Sequence, residues 1–150
     1  MATINRFEEL ECWQAGRVLK REVYRLSRNR DFARDLPLVS QIRRAASSVT
    51  ANIVEGFERS GNREFIQFLA TSKGSCGEVK DHLYTAIDEN YITQTDFDRC
   101  YQLCEDASRL VGGFMRYLDQ TEMKGAKFAS STRKTPTRNS EPGTRNPHHA

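Results

Sequence analysis

Long apolar runs are missing from this 150-residue sequence. No stretch approaches the roughly 20 apolar residues that a helix needs to cross a bilayer, so we predict no transmembrane segment. A secretory signal is missing as well, because Glu8, Glu9 and Glu11 occupy the stretch where its apolar core would lie. We therefore expect a cytoplasmic protein that does not contact membranes, with a chain length suited to one compact domain.

Cysteine and histidine are scarce, and neither forms a typical metal-binding pattern. The cysteines lack Cys-x-x-Cys pairing, so in a reducing cytoplasm we expect buried thiols at Cys12, Cys76, Cys100 and Cys104. A buried four-thiolate site is geometrically conceivable, but thiols are ordinary core residues. His82 follows Glu78 by four residues, which differs from the Glu-x-x-His motif of di-iron bundles. A nucleophile elbow, a catalytic triad pattern and a phosphate-binding glycine loop are also missing, so we expect no enzyme activity, metal or cofactor.

Alternating strand patterns are absent, whereas a helical period of 3.6 residues recurs in four segments. The pattern predicts helices over about residues 9–29, 37–57, 62–90 and 93–118. Amphipathic helices joined by short connections can bury their apolar faces only against one another. The sequence therefore predicts an all-α fold, an antiparallel up-and-down four-helix bundle over residues 1–123. Its predicted core comprises Cys12, Gly16, Leu19, Val23, Leu26, Leu38, Ile42, Ala45, Val49, Ile53, Gly56, Phe65, Phe68 or Leu69, Ser72, Cys76, Val79, Leu83, Ala86, Phe97, Cys100, Cys104, Ala107, Val111, Phe114 and Leu118.

Local signals mark several helix ends. Pro37 suits the first turn of the second helix, Asn62 is a candidate N-cap of the third, and Thr93 with Asp96 resembles a capping pair for the fourth. Glycine inside a helix costs stability, so we expect close backbone packing as compensation at the small residues of the stripes. These are Gly16, Ala45, Gly74, Gly77, Gly112 and Gly113.

Charge is unevenly distributed along the chain. Residues 1–63 carry twelve basic and eight acidic side chains, whereas residues 64–120 carry five and ten. This asymmetry favours either a polyanionic partner on the basic half or a second copy that docks basic side to acidic side. Residues 124–150 lack the helical period and are rich in Ser, Thr, Arg, Asn, Gly and Pro, so we predict a disordered basic tail there.

Several motifs agree in order and spacing with a known family. They are the aromatic pair Phe7 and Trp13, the QIRRAA segment at 41–46, Asn52-Ile53 with Glu55-Gly56, Phe65 with Phe68-Leu69, Gly74-Ser75 before Glu78, and the Tyr91-Ile92 turn. Over about residues 7–120 the chain resembles the bacterial 23S rRNA intervening-sequence proteins, also called the S23 ribosomal protein family. The resemblance implies a four-helix bundle that assembles as a homopentamer. It also implies a relation to the accessory variability proteins of diversity-generating retroelements, which bind a reverse transcriptase and nucleic acid.

A basic strip follows the first predicted helix on the side opposite its apolar stripe. The strip consists of Arg17, Lys20, Arg21, Arg25 and Arg28, and it extends about 16 Å at the helical rise of 1.5 Å per residue. Such a strip could neutralise successive phosphates of a nucleic acid without reading its bases. The alternative interpretation is a solvated helix face whose charge is relieved by local acids such as Glu22.

Arg43 and Arg44 flank the apolar stripe of the second helix. They could bind a polyanion, but we favour pairing across a subunit seam with acids of helices three and four, such as Glu64, Glu78 or Asp81. Asn52 and Glu55 lie near the bundle face, where an unpartnered polar group would cost about 1 to 3 kcal/mol. We expect both to be structural polar residues with satisfied hydrogen bonds.

Two functional hypotheses follow from these patterns. The first is a non-catalytic homopentameric bundle that binds nucleic acid, RNA in particular, through phosphate contacts. The alternative is a pentameric scaffold or adaptor that binds another protein, such as a reverse transcriptase, and whose charges serve assembly alone.

Overall fold

The chain folds into four long helices, as the periodicity predicts. A computed structural model describes the backbone of residues 3–132 and the side chains of residues 3–121. The helices are α1 (Glu11–Ser27), α2 (Leu36–Glu58), α3 (Asn62–Asp88) and α4 (Gln94–Thr132), with short 3-10 helices at Phe7–Glu9 and Phe32–Arg34. Each helix packs on the preceding one, and α4 packs back on α1. The described residues contain no strand, and the all-α four-helix bundle is confirmed.

A single hydrophobic core runs along the axis of the bundle. The predicted core residues of α1 and α2 are all buried. Of the two alternatives predicted in α3, Leu69 is buried and Phe68 is half-buried. In α4 all the predicted core residues are buried except Phe114, which is half-buried. The 3.6-residue period therefore identifies the buried face of every helix.

Close packing explains some glycines but not others. A Cβ added at Gly16 would lie 3.0 Å from Thr50 Cγ2 and 3.1 Å from Val49 Cγ1, so α1 and α2 approach closely there. The same expectation is wrong at Gly74 and Gly77 of α3, where an added Cβ would meet no atom within 4 Å. These two glycines are exposed. No packing within the described part of the protomer requires them.

The Gly112 and Gly113 pair of α4 also lacks close backbone packing. The atoms nearest to an added Cβ are the ends of flexible side chains, Lys73 Cε at 3.4 Å from Gly112 and Arg116 Nη2 at 3.7 Å from Gly113. The prediction of close backbone packing is therefore wrong at these positions too.

Most of the predicted helix ends are confirmed. Pro37 lies in the first turn of α2, and the Thr93 hydroxyl accepts a hydrogen bond from the Asp96 amide at 3.1 Å. The N-cap prediction for Asn62 is wrong, because Gly61 precedes α3 in a left-handed conformation with φ of 100°. Asn62 is instead the first residue of α3, and its side-chain amide donates to the carbonyl of Leu118 at 3.3 Å.

The C-terminal helix is longer than the sequence predicts. Helix α4 continues past Met123 to Thr132. The remaining part of the predicted disordered tail, 133–150, lies outside the described residues. Within the described part of the chain, no helix combines the length and apolar character needed to span a membrane.

Candidate nucleic-acid interface

A long open groove follows the outer side of α1 and has a volume of about 1160 Å³. The α1 side chains that line it include all five residues of the predicted basic strip, Arg17, Lys20, Arg21, Arg25 and Arg28, together with Trp13 and Tyr24. The α2 side is formed by Ser47, Thr50, Ala51 and Val54. We call this feature the basic groove. Its α1 wall is cationic and its α2 wall is small and uncharged.

One arginine of the strip is already paired with acids. The Arg25 guanidinium donates to the buried carboxylate of Glu22 at 2.6 Å and to Asp96 of α4 at 3.1 Å. These hydrogen bonds, the one to Glu22 foremost, raise the pKa of Arg25 above its ordinary value. Arg99 of α4 lies 3.7 Å from the second oxygen of Glu22. The interpretation that Glu22 offsets the positive charge of the basic strip is therefore confirmed at Arg25.

The other four cations of the strip are available to a ligand. Among the described side chains, no carboxylate lies within 4 Å of the charged groups of Arg17, Lys20, Arg21 or Arg28. Among the described residues that line the basic groove, Glu22 is the only acid, and Arg25 and Arg99 lie within 4 Å of its carboxylate. The groove therefore carries a net positive charge.

Aromatic rings are interleaved with these cations. The Trp13 indole is half-buried, packs edge-on against Phe7 at 5.1 Å between centroids, and carries the Arg17 guanidinium 5.7 Å from its own centroid. Tyr24 lies farther along α1. The periodicity of α1 already places Trp13, Arg17 and Tyr24 on one side of the helix, so this signal was readable in the sequence.

Arg43 has a structural role that the sequence did not indicate. Its Nε donates to the Ser27 hydroxyl at 2.8 Å, and its guanidinium lies over the Tyr24 ring at 4.4 Å from the centroid. These contacts connect α2 to α1 within one protomer. The predicted interface or anion-binding role of Arg43 and Arg44 stays a prediction.

Arg44 lines a second groove, between α2 and α3, which we call the small-residue groove. Small residues from both helices form much of its surface, and Glu78, Asp81 and His82 lie along its α3 side. Within the described residues Arg44 forms no ion pair, while Glu64 lies 3.6 Å from Arg59 of the same protomer. The small residues are Ala45, Ser48, Gly74, Ser75 and Gly77.

The polar residues of the NIVEG segment have internal partners, as predicted. The Asn52 side-chain amide donates to the Ser48 carbonyl at 2.8 Å and to the Ser48 hydroxyl at 2.9 Å. Glu55 accepts a hydrogen bond from Arg59 at 2.8 Å. Both residues therefore stabilise helix α2 locally.

The four cysteines are all buried, and the structure joins none of them in a disulfide bond. Among the described residues, no group of three or more His, Cys, Asp or Glu side chains is placed to hold a metal ion. Burial raises the pKa of Cys12 and of Cys76 from an ordinary 9.0 to about 11. The pKa of Cys104 is also raised, by the adjacent Cys100 thiol and by burial. The raised pKa values keep the thiols of Cys12, Cys76 and Cys104 protonated in the core.

We expect the thiols to be unreactive in the folded protein. At pH 8 a colorimetric thiol reagent should modify the cysteines slowly in buffer and rapidly in denaturant, because burial limits the access of the reagent to all four. Since the folded pKa of Cys12 and Cys76 exceeds the unfolded value, their contribution to stability should be lost as the pH rises from about 9 to about 11. Rapid modification of any cysteine before unfolding would contradict this expectation.

Arg99 is the cation of the basic groove that sequence reasoning missed. It lies in the first turns of α4, far from the α1 strip in sequence, and only the packing of α4 on α1 brings it to Glu22. No spacing rule within one helix could have placed it in the groove.

Comparisons with known proteins agree with the fold. Residues 8–113 match the family described as 23S rRNA-intervening sequence protein. Among solved structures, the chain is similar to a protein of unknown function from the S23 ribosomal protein family of Bacteroides thetaiotaomicron VPI-5482. The two share 19% sequence identity with a TM-score of 0.64, over 69% of this chain and 97% of that chain. At this identity the likeness shows the fold alone. A comparison with curated proteins finds no match.

Proposed function

The chain belongs to the 23S rRNA-intervening sequence protein family, and on this premise we propose that it is a non-catalytic homopentamer that binds RNA through the basic groove. The observation that carries the proposal is the charge of that groove. Among the described side chains, four cations without an acidic partner line this groove, and its one acid, Glu22, is paired with Arg25 and Arg99. Phosphate contacts of this kind supply affinity with little dependence on base sequence.

The charge distribution supports assembly into a ring. Residues 1–63, which include α1 and α2, carry twelve basic and eight acidic side chains, and residues 64–120, which include α3 and most of the described side chains of α4, carry five and ten. A head-to-tail ring would bring acidic residues of one protomer to Arg44 of the next, which lies outside the basic groove. Such a ring would repeat the basic groove five times, and simultaneous contacts along one RNA would add avidity.

Neutralising two arginines of the groove should weaken RNA binding and its salt dependence. We expect the double variant R17Q/R21Q to lower the slope of log affinity against log salt concentration by about 0.7 to 0.9 for each lost phosphate contact. Glutamine is nearly as good a helix former as arginine, so α1 should stay intact. Fluorescence anisotropy of a labelled RNA at several salt concentrations would measure the slope.

A charge-matched control separates the groove from general basicity. The variant R63Q/R116Q removes the same number of charges from exposed positions outside the groove, and it should leave the slope closer to that of the wild type. Equal slopes for the two double variants would place RNA binding elsewhere on the surface. Failure of the wild-type protein to bind RNA at low salt would overturn the proposal and favour the protein-scaffold alternative.

A further inference from the structure

We propose that the basic groove accepts single-stranded RNA and that an unpaired base stacks on the indole of Trp13. This inference rests on the proposed function and adds the conformational class of the RNA. A cationic surface alone would bind any polyanion. The additional observation is that half-buried aromatic rings, Trp13 and Tyr24, line the same groove as the cations.

The position of Trp13 suits a base that has left the helical stack. Its ring is half-buried and forms a T-shaped pair with Phe7 at 5.1 Å between centroids, and the guanidinium of Arg17 lies over one face at 5.7 Å from the centroid. A base that stacks on the indole would therefore use the other face or displace the Arg17 guanidinium. In an A-form duplex the faces of the bases are covered by their neighbours, so they cannot reach a half-buried ring. A single strand can present a free base, and aromatic stacking beside a basic track is typical of single-strand binding.

Along α1 the proposed stacking residue comes first and the cations that could contact phosphates follow it. Trp13 lies one helical turn before Arg17, and Arg17, Lys20, Arg21 and Arg28 continue over about 16 Å of helix. A strand whose base rests on Trp13 would therefore have its following phosphates beside these cations.

The opposite wall leaves room for nucleotides. Ser47, Ala51 and Val54 of α2 are short and uncharged, and none of the described residues that line this wall carries a carboxylate that would repel the backbone. A groove with one cationic wall and one neutral wall thus gives a single strand phosphate contacts on one side and room for its sugars and bases on the other.

The only tryptophan of the sequence lies at the proposed stacking site and reports on it directly. We expect a short oligouridylate to quench the intrinsic tryptophan fluorescence of the full-length protein, whereas an RNA hairpin with a paired stem of equal length should bind more weakly and quench little. Anisotropy of the same RNAs, each carrying a fluorescent label, would measure affinity independently of Trp13.

Two substitutions at Trp13 test the role of the ring. The variant W13L should lower affinity for oligouridylate roughly 5- to 150-fold, the loss expected for one stacked base, while W13F should retain most of the affinity. The variant Y84L removes an aromatic ring that is 52% exposed on α3 outside the groove, and it should bind like the wild type. Circular dichroism would verify that each variant is folded.

The outcomes separate this inference from the proposed function. Equal affinity for single strand and hairpin, together with unchanged tryptophan fluorescence, would overturn single-strand stacking while phosphate binding by the groove still stood. Absence of binding to both RNAs at low salt would overturn the proposed function and the inference with it. Selective quenching by the single strand and weaker binding by W13L would support both.

Discussion

Replacing Gly77 with glutamine is expected to release monomers of about 17.2 kDa from the proposed ring, a fivefold fall in mass. Gly77 lies exposed in the small-residue groove, and a Cβ added there would meet no atom within 4 Å. A glutamine side chain therefore fits the isolated protomer and favours the helix more than glycine does, by just under 1 kcal/mol. If a neighbouring protomer packs against these small residues, the same side chain must be displaced or must push the neighbour away. Light scattering at micromolar protein concentration would measure the mass.

The same exchange in α4 provides the control. Gly113 is also a glycine inside a helix, and the nearest atom to an added Cβ is the flexible end of Arg116 at 3.7 Å. The variant G113Q should fold and remain assembled. A G77Q protein with the mass of the wild type and a raised thermal midpoint would show that the small-residue groove is open to solvent, and the subunit seam would then have to lie elsewhere.

The fold was predictable because the spacing of apolar residues determines which face of each helix is buried. Four helices that each carry an apolar stripe can bury those stripes only by packing against one another, and the structure buries them. Helix ends were harder to predict. Asn62 has the side chain of an N-cap, but the preceding Gly61 adopts a φ of 100° and Asn62 contacts α4 instead. The competition between a local cap and a tertiary hydrogen bond cannot be settled from neighbouring residues alone.

The candidate site was predictable only as far as one helix extends. The spacing of Arg17, Lys20, Arg21, Arg25 and Arg28 places them on one side of α1, and all of them line the basic groove. Their individual states depend on other helices. Arg25 is neutralised in part by Asp96 of α4, and Arg43 crosses from α2 to Tyr24. Such contacts follow from how the helices pack, which the sequence pattern does not specify in atomic detail.

Gly56 is the position where the smallest change should destabilise the bundle most clearly. It lies in the last turn of α2, just before the short connection to α3. A Cβ added there would clash with Phe65 Cδ2 and would lie 2.9 Å from Phe68 Cβ. Phe65 cannot easily move away, because its ring packs edge-on against Phe57 and Phe114, with centroids 6.4 and 5.3 Å apart. The helices would therefore have to separate or the rings leave their preferred rotamers.

The variant G56A is accordingly expected to lose about 1 to 3 kcal/mol of unfolding free energy, since overpacking of a core outweighs the gain of just under 1 kcal/mol in helix propensity. The variant G113A makes the same exchange where only a flexible side chain is near, so it should be neutral or stabilising. Urea denaturation followed by circular dichroism, at one protomer concentration for all proteins, would compare them because assembly makes stability depend on concentration. If G56A were as stable as G113A, the close contact between α2 and Phe65 would not hold in solution, and the α2–α3 corner would be looser than these distances require.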